Sequence, residues 1–571
     1  MPCTALRELL TGVFMRKTKI LGIAMLALTQ SAFGQTPPPP GAGGQIQQIP
    51  PAPVPQRAPP EIRIEPGTGP APAGIDQNRI AVKSLHVTGQ SQYPEAELVA
   101  VTGFVPGTEL TLSDLQGMAA RIADYYHRNG YIVAQAYLPP QDVKDGAVTI
   151  AVLEGRYGNV TLRNQARLSD SLPNGLLAGL NSGDPITIAP LENRLLLLSD
   201  IPGVNVRSTL NPGASPGTSD LIVDVTPGQS VSGEVDADNA GNRYTGEYRI
   251  GATVNFNNLT GHGDVASLRA MTSGTGLNYG RASYQTRVGK ATVGVAYTAL
   301  AYRLGEEFAS LHAHGTAEIA SVYGSYPLIR SRDTNLYAVI DFDAKKFQDK
   351  VDLTSTVTDK KAQVVMAGLN GNHRDNIGGG GLSSYGATLS TGNIDIETAA
   401  ARTADAATAQ TNGHFGKLQF NASRLQSLTE RISLYGAING QIASKNLDIS
   451  EKMELGGMYA VRAYPEGEAF ADEGYVATVE ARLLLPKFSE RVPGQVHLIG
   501  FVDTGSVTIN KNPWAPGQNH RTLSGAGIGL TWSDYNNFVV NVYYAHKLGN
   551  AAAISAPDKA GRFWIQAIKY F

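Results

Sequence analysis

At 571 residues, with 63 Gly, 32 Pro and one Cys, the chain is long enough for several domains and for packed cores or a membrane surface. Its 47 basic and 49 acidic side chains leave a formal charge of −2, which excludes the basic excess of a nucleic-acid binder. The single Cys, Cys3, excludes a disulfide scaffold, a cysteine nucleophile and a cysteine-ligated metal.

Residues 1–34 read as a secretory signal peptide. Arg16, Lys17 and Lys19 precede an apolar stretch over 20–28, and Ala32-Phe33-Gly34 supplies small residues for a cut after Gly34. That stretch falls well short of the roughly 20 apolar residues of a spanning helix, and no later run reaches that length. An exported chain of this kind is either soluble or a β-barrel, and strand periodicity decides between them.

Residues 35–78 form a Pro-rich linker, with Pro37–Pro40, Pro50-Pro51 and Pro59-Pro60. Gln45-Ile46-Gln47-Gln48-Ile49 has room for one or two helical turns. From Ile80 an imperfect strand leads to a helix opened by Ser113-Asp114, with Leu112, Leu115, Ala119, Ile122 and Tyr126 on one face. Asn129-Gly130 stops it, and strands follow at 131–138 and 148–153. Residues 156–228 repeat the order: a strand at 159–162, a helical piece at 175–180, a helix at 190–199 carrying Leu191, Leu195 and Leu198, then strands at 204–210 and 220–225. Two tandem copies of one small α/β module account for this order.

Beyond Pro227-Gly228 the helical period vanishes. Tyr248, Ile250, Ala252, Val254 and Phe256 alternate with polar or small residues, as do Phe538, Val540, Val542 and Tyr544. Each strand is about ten residues long with one apolar face, which suits a tilted crossing of a bilayer. Sixteen segments begin near 231, 245, 264, 277, 290, 317, 334, 362, 381, 413, 430, 474, 494, 521, 536 and 562. An even number returns the last strand to the first, so the expected fold is a transmembrane antiparallel β-barrel of sixteen strands, residues 229–571, behind two small α/β domains. Connections 350–361, 392–412, 444–473 and 548–561 are long and the others short, the asymmetry of an outer-membrane barrel.

The longest connection, 444–473, carries Val461-Arg462-Ala463-Tyr464-Pro465, an unusual composition for a solvated loop. If it folds into the lumen, Arg462 needs a carboxylate there, because an unpaired buried guanidinium is very costly. In the strand 496–507 the apolar phase is Val496, Leu498 and Val502, so His497, Phe501, Asp503 and Gly505 face inward. Asp503 is the best acceptor by phase, and Glu480 is another.

These residues resemble the two signature motifs of the two-partner secretion transporters of the ShlB/FhaC/HecB family. Val461-Arg462-Ala463-Tyr464-Pro465, with Gly467-Glu468 and Asp472-Glu473-Gly474-Tyr475, is similar to the Val-Arg-Gly-Tyr loop motif; Phe501-Val502-Asp503-Thr504-Gly505 is similar to the Phe-x-Asp-x-Gly strand motif. Ser325-Tyr326-Pro327-Leu328-Ile329-Arg330 and Val152-Leu153-Glu154-Gly155-Arg156-Tyr157 also match stretches common there. The resemblance implies two periplasmic POTRA domains at 79–155 and 156–228, and an outer-membrane barrel whose inward loop is locked by Arg462 on Asp503. Val461, Ala463, Tyr464, Pro465, Phe501 and Gly505 support that lock. Ala463 stands where the superfamily usually has Gly, which would strain the tip if the position needed positive φ. The family often has an N-terminal plug helix, for which the prolines of 35–78 leave only a short segment.

The implied function is secretion of a partner exoprotein, hemolysin- or adhesin-like, with the outer-membrane lipid and the barrel assembly machinery as further partners and no nucleic acid, cofactor or metal. A passive porin-like channel and an insertase of other barrels are the alternatives. An enzyme is not expected, since no nucleophile constellation is evident. His312-x-His314 lacks a third ligand and reads as a solvated turn. Gly378–Gly381 lacks the Lys-Ser/Thr of a phosphate loop. Gly525, Gly527 and Gly529 share one strand phase, which suits close packing of a lumen loop.

Overall fold

The computed structural model describes residues 41–53, 61–64, 78–487 and 489–571. The signal segment 1–34 and Cys3 lie outside the described residues.

Two α/β modules precede the barrel. In the first, strands Ser84–Thr88, Ala147–Leu153 and Gln135–Tyr137 form a sheet in that order, backed by helices Glu95–Thr102 and Leu112–Arg128. The second helix buries Leu115, Met118, Ala119, Ile122 and Tyr126 against Leu85, Val87 and Ile150. Its cap is Thr111, two residues before the expected start. The Thr111 hydroxyl accepts from the Asp114 N–H while the Asp114 carboxylate accepts from the Thr111 N–H, a reciprocal pair that fixes the first turn. At the junction of the modules the buried Glu154 carboxylate accepts from the backbone of Ser91 (2.6 Å) and Gln92 (2.8 Å) and from the Tyr126 hydroxyl (2.9 Å). Arg156 donates to Ser91 Oγ and to the Gly183 carbonyl, tying one module to the other.

The second module has helices Ser171–Leu177 and Ile188–Ser199, with Leu191, Leu195 and Leu198 fully buried. They lie on a four-stranded sheet ordered Glu61–Ile64, Val204–Pro212, Thr218–Pro227, Arg156–Asn164. This module is bonded to the barrel mouth. Arg330 forks onto Asp200 with two contacts of 2.8 Å, and Ser169 N–H donates to the Gly261 carbonyl.

The segment expected to be a Pro-rich linker, with room for only a short plug segment, carries two ordered pieces. A six-residue helix, Ala42–Gln47, lies inside the barrel, and Glu61–Ile64 adds a strand to the second sheet. The helix spans Gly43 and Gly44, residues of poor intrinsic helix propensity, so the surrounding wall rather than the local sequence makes it helical.

Sixteen strands close into an antiparallel barrel, the seam being Glu234–Asp238 against Gln566–Tyr570. Every expected strand is present. The largest displacement is at the eighth, expected near 362 and found over Thr356–Asp375. Residues 350–361 are therefore not a long loop but the ends of strands of 18 and 20 residues joined by a tight turn. At about 3.4 Å per residue such strands rise well past the apolar band of a membrane, so their upper parts lose the alternation that marks a spanning segment. The first three strands have only 8 or 9 residues, so the wall is short on one side and tall on the other. Ile250, Leu268, Ile340, Leu389, Val479 and Ile528 are each more than half exposed on the outer face, the band that meets lipid.

Candidate functional site

Residues 444–472 do not project from the barrel but fold down into it. Met453-Glu454 pairs with Phe470-Ala471 as a small antiparallel hairpin, and Val461, Ala463 and Tyr464 beyond it are completely buried. The tip reaches the wall at strands Glu473–Leu484, Gln495–Thr508 and His520–Asp534. Arg462 donates from Nε (2.8 Å) and Nη2 (2.7 Å) to the two carboxylate oxygens of Asp503, and its backbone N–H reaches the same carboxylate at 3.1 Å. Nη1 lies 2.9 Å from Glu480, whose other oxygen holds Arg482 at 2.7 Å. Both candidate acceptors are therefore used at once. Two guanidinium groups meet two carboxylates, leaving no net charge in the cluster.

The remaining contacts fix the orientation of that fork. The guanidinium carbon stands 3.5 Å from the Phe501 ring centroid, a stacked cation–π contact. Thr478 donates to Asp503 at 3.0 Å, and the Trp564 indole donates to the Arg462 carbonyl at 2.7 Å. Asp503 and Phe501 face inward because they share the buried phase of their strand with Gly505. A Cβ on Gly505 would stand 2.5 Å from Leu455 of the loop. One on Gly525 would stand 2.4 Å from the Cβ of Ala463, and one on Gly527 2.4 Å from the Phe501 ring. The wall is glycine-rich where the tip presses on it. Ala463 does not take a positive φ, so its replacement of Gly brings no backbone strain. The Pro465 carbonyl lies against Gly456, the Tyr464 hydroxyl donates to the Ala551 carbonyl at 3.0 Å, and Glu468 is held by Arg521 and by the N–H groups of Ile554 and Ser555. The external connection 548–560 thus caps the tip from outside.

A second fastening escaped the sequence reading. Glu451 sits between Lys345 (2.8 Å) and Lys417 (2.9 Å), and Asp448 lies 2.7 Å from Lys360. These lysines project inward from the tall strands Thr334–Val351 and Thr356–Asp375 and from Gly413–Ser427. The signal was present as lysines in the inward phase of membrane strands, where each needs a buried acid. Helix Ala42–Gln47 lies over the 448–451 turn. Asp349 accepts from the Ala42 N–H at 2.8 Å, Gln47 donates to the Ser450 carbonyl, and a Cβ on Gly43 would come within 2.9 Å of Ser450. Leu277, Leu300, Phe347, Val364 and Phe415 form an apolar collar around Ala42.

Residues 217–532 match the family of haemolysin secretion/activation proteins ShlB/FhaC/HecB, and residues 80–155 match the POTRA domain, ShlB-type. The chain belongs to this family. It is similar to the heme/hemopexin transporter protein HuxB of Haemophilus influenzae, 32% identical over 484 residues, covering 83% of this chain and 84% of that protein. The outer membrane transporter CdiB of Dickeya dadantii is 24% identical over 433 residues, covering 74% of each chain. Among solved structures, CdiB from Escherichia coli superposes with a TM-score of 0.65 at 19% identity, over 88% of this chain and 93% of that one. The protein is an outer-membrane transporter of two-partner secretion, with POTRA modules in the periplasm and the strand seam and barrel in the membrane.

Proposed function

We propose that the periplasmic modules capture an unfolded exoprotein, that the exoprotein leaves through the bore, and that the Arg462–Asp503 contact holds the loop in the closed position between transport events. The observation that carries this reading is the bidentate pair at the bottom of a loop that obstructs the bore. A solute pore has no use for two modules bonded to its periplasmic mouth, and the helix and the loop both lie within the bore. No nucleotide site drives the passage in this reading, and folding of the client outside supplies the direction.

HuxB carries heme/hemopexin transport in its name, so a haem-linked exoprotein is the first client to test. The last strand, Gly561–Tyr570, is followed by Phe571, which exchanges two 3.0 Å backbone hydrogen bonds with Gly233 at the seam, and in this reading the barrel assembly machinery inserts the barrel through that strand. Deletion of residues 80–155 discriminates among the readings. Secretion should stop while the folded barrel remains in the membrane; a passive pore would keep its solute conductance, and an insertase defect would deplete other barrels.

A further inference from the structure

At the periplasmic end of the barrel the longest connection between neighbouring strands is 485–494, which joins Glu473–Leu484 to Gln495–Thr508. It is folded against the wall. The Leu485 N–H donates to the Val496 carbonyl at 2.8 Å, and the Trp532 indole donates to the Pro493 carbonyl at 3.0 Å. Gly494 takes a φ of +89°, and a Cβ there would stand 2.5 Å from the Ser533 carbonyl oxygen, so glycine is what lets the turn lie this close to the next strand. The Trp532 ring is also held by Phe538, edge-on with centroids 4.6 Å apart.

The fold of this turn leaves a cavity of about 230 Å³ bordered by Arg431, Leu485, Pro486, Lys487, Val492 and Trp532. Val496 and Trp532, which are register partners at its wall, belong to the outward phase of their strands. One step further into the bilayer, Leu483, Leu498 and Leu530 form an outward row across three strands, and all three are exposed. An apolar track thus runs from the lipid to a pocket with cations at its rim. Among the described residues the Arg431 guanidinium makes no hydrogen bond or ion pair, and Lys487 has only a water-exposed contact of 3.6 Å with Glu490. Arg431, Lys487 and Arg491 outnumber Glu430 and Glu490 in the two adjoining turns.

We infer that this pocket is a binding site for an anionic glycerophospholipid of the periplasmic leaflet, with Arg431 and Lys487 on its phosphate and one acyl chain along Leu483, Leu498 and Leu530. The order from water to lipid is the order of such a molecule: a cationic rim, an indole at the interface, then an apolar row. The cavity is smaller than the roughly 300–1,000 Å³ of a site that encloses a whole small molecule, so it holds a headgroup and leaves the chains in the bilayer. The guanidinium suits a phosphate through two parallel N–H bonds, and the Lys487 ammonium adds a point charge. A zwitterionic headgroup brings its own cation to that rim, which favours the anionic lipid. The three strands it grips are those whose inner faces carry Glu480, Asp503 and Gly525, so the lipid braces from outside the wall on which Arg462 forks. The inference stands apart from the secretion reading.

The test uses the full chain with Trp514→Phe, reconstituted in phosphatidylcholine vesicles. Of the three tryptophans this leaves Trp532 at the pocket and Trp564, which is buried on the Arg462 carbonyl away from lipid. Phosphatidylglycerol or phosphatidylcholine with brominated chains is added at equal mole fractions, and quenching of Trp532 reads their relative affinity. Phosphatidylglycerol should bind roughly fivefold more tightly or better. Arg431→Gln and Lys487→Gln, both at exposed turn positions, should each cut that preference at least twofold and together abolish it. Lys290→Gln, a matched loss of charge in the turn 289–290, should leave it unchanged. Equal quenching by the two lipids would overturn the inference. So would an equal loss in Lys290→Gln and Arg431→Gln, which would assign the preference to the overall charge of the rim.

Discussion

The inward loop is held by two arcs of the wall whose chemistry differs. Around Asp503 the contact is a planar guanidinium forked onto carboxylates, stacked on Phe501, beside an Ala463–Gly525 fit with no room for another atom. On the tall arc, Lys345, Lys360 and Lys417 meet Glu451 and Asp448 as point charges beneath helix Ala42–Gln47. The first depends on shape and is weakened by an Arg-to-Lys exchange, which loses the fork; the second depends on exclusion of water. In the proposed reading the tip acts as a latch and the tall-arc cluster as a seal. Loss of the helix should hydrate and loosen the seal while the latch persists.

The largest effect should come from cutting the latch. Asp503→Ala strands a buried guanidinium, a change of roughly 3–5 kcal/mol for this kind of pair. Secretion should fall at least tenfold while the barrel keeps its heat-modifiable mobility on gels. Arg462→Lys should fall between the two because it loses the fork. A fully active Asp503→Ala would mean that Glu480 alone suffices.

The next effect tests the fit. Gly525→Ala places a Cβ 2.4 Å from that of Ala463 and should reduce secretion severalfold. Adding Ala463→Gly should restore much of it, and additive losses in the double variant would show that the two positions do not meet. On the tall arc, Glu451→Gln leaves Lys345 and Lys417 without a full counter-charge. It should raise the open fraction of single barrels in bilayers, and should change little in a chain lacking residues 42–47, where the seal is already wet.

The smallest effect lies in the periplasm. Burial alone would raise the Glu154 pKa, and the hydrogen bonds from Ser91, Gln92 and Tyr126 outweigh it and hold it below the ordinary value. A depressed carboxyl stabilises the fold above its unfolded pKa and loses that contribution as pH falls through the folded one. Glu154→Gln should therefore destabilise the first module by about 1–3 kcal/mol at neutral pH. The gap from the parent chain should close in acid, as read by hydrogen exchange at residues 91 and 92.

How much of this was legible depends on what each residue answers to. The sixteen strands were readable because lipid enforces alternation, as at Ile250 and Val479; the eighth began early because above the membrane nothing enforces it. Arg462, Asp503 and the glycines at 525 and 527 were readable because a buried charge and a missing side chain both demand a partner. Helix Ala42–Gln47 was legible only in part, as room for a turn or two at 45–49, since two of its six residues are glycines that sit against Ser450 and Ile449 and have poor helix propensity. Strand Glu61–Ile64 was hidden between prolines, and Lys345, Lys360 and Lys417 passed as ordinary polar positions until the acids of the 448–451 turn were seen above them.

The most direct measurement is the reactivity of a thiol at the loop tip in cells. Val461→Cys, in a chain with Cys3 replaced by Ser, places a small side chain at a fully buried position of the loop. A membrane-impermeant maleimide added from outside should leave it unlabelled at rest and label it while the exoprotein is passing. Labelling at rest, or protection throughout active secretion, would contradict a loop that closes the bore and moves aside for the client.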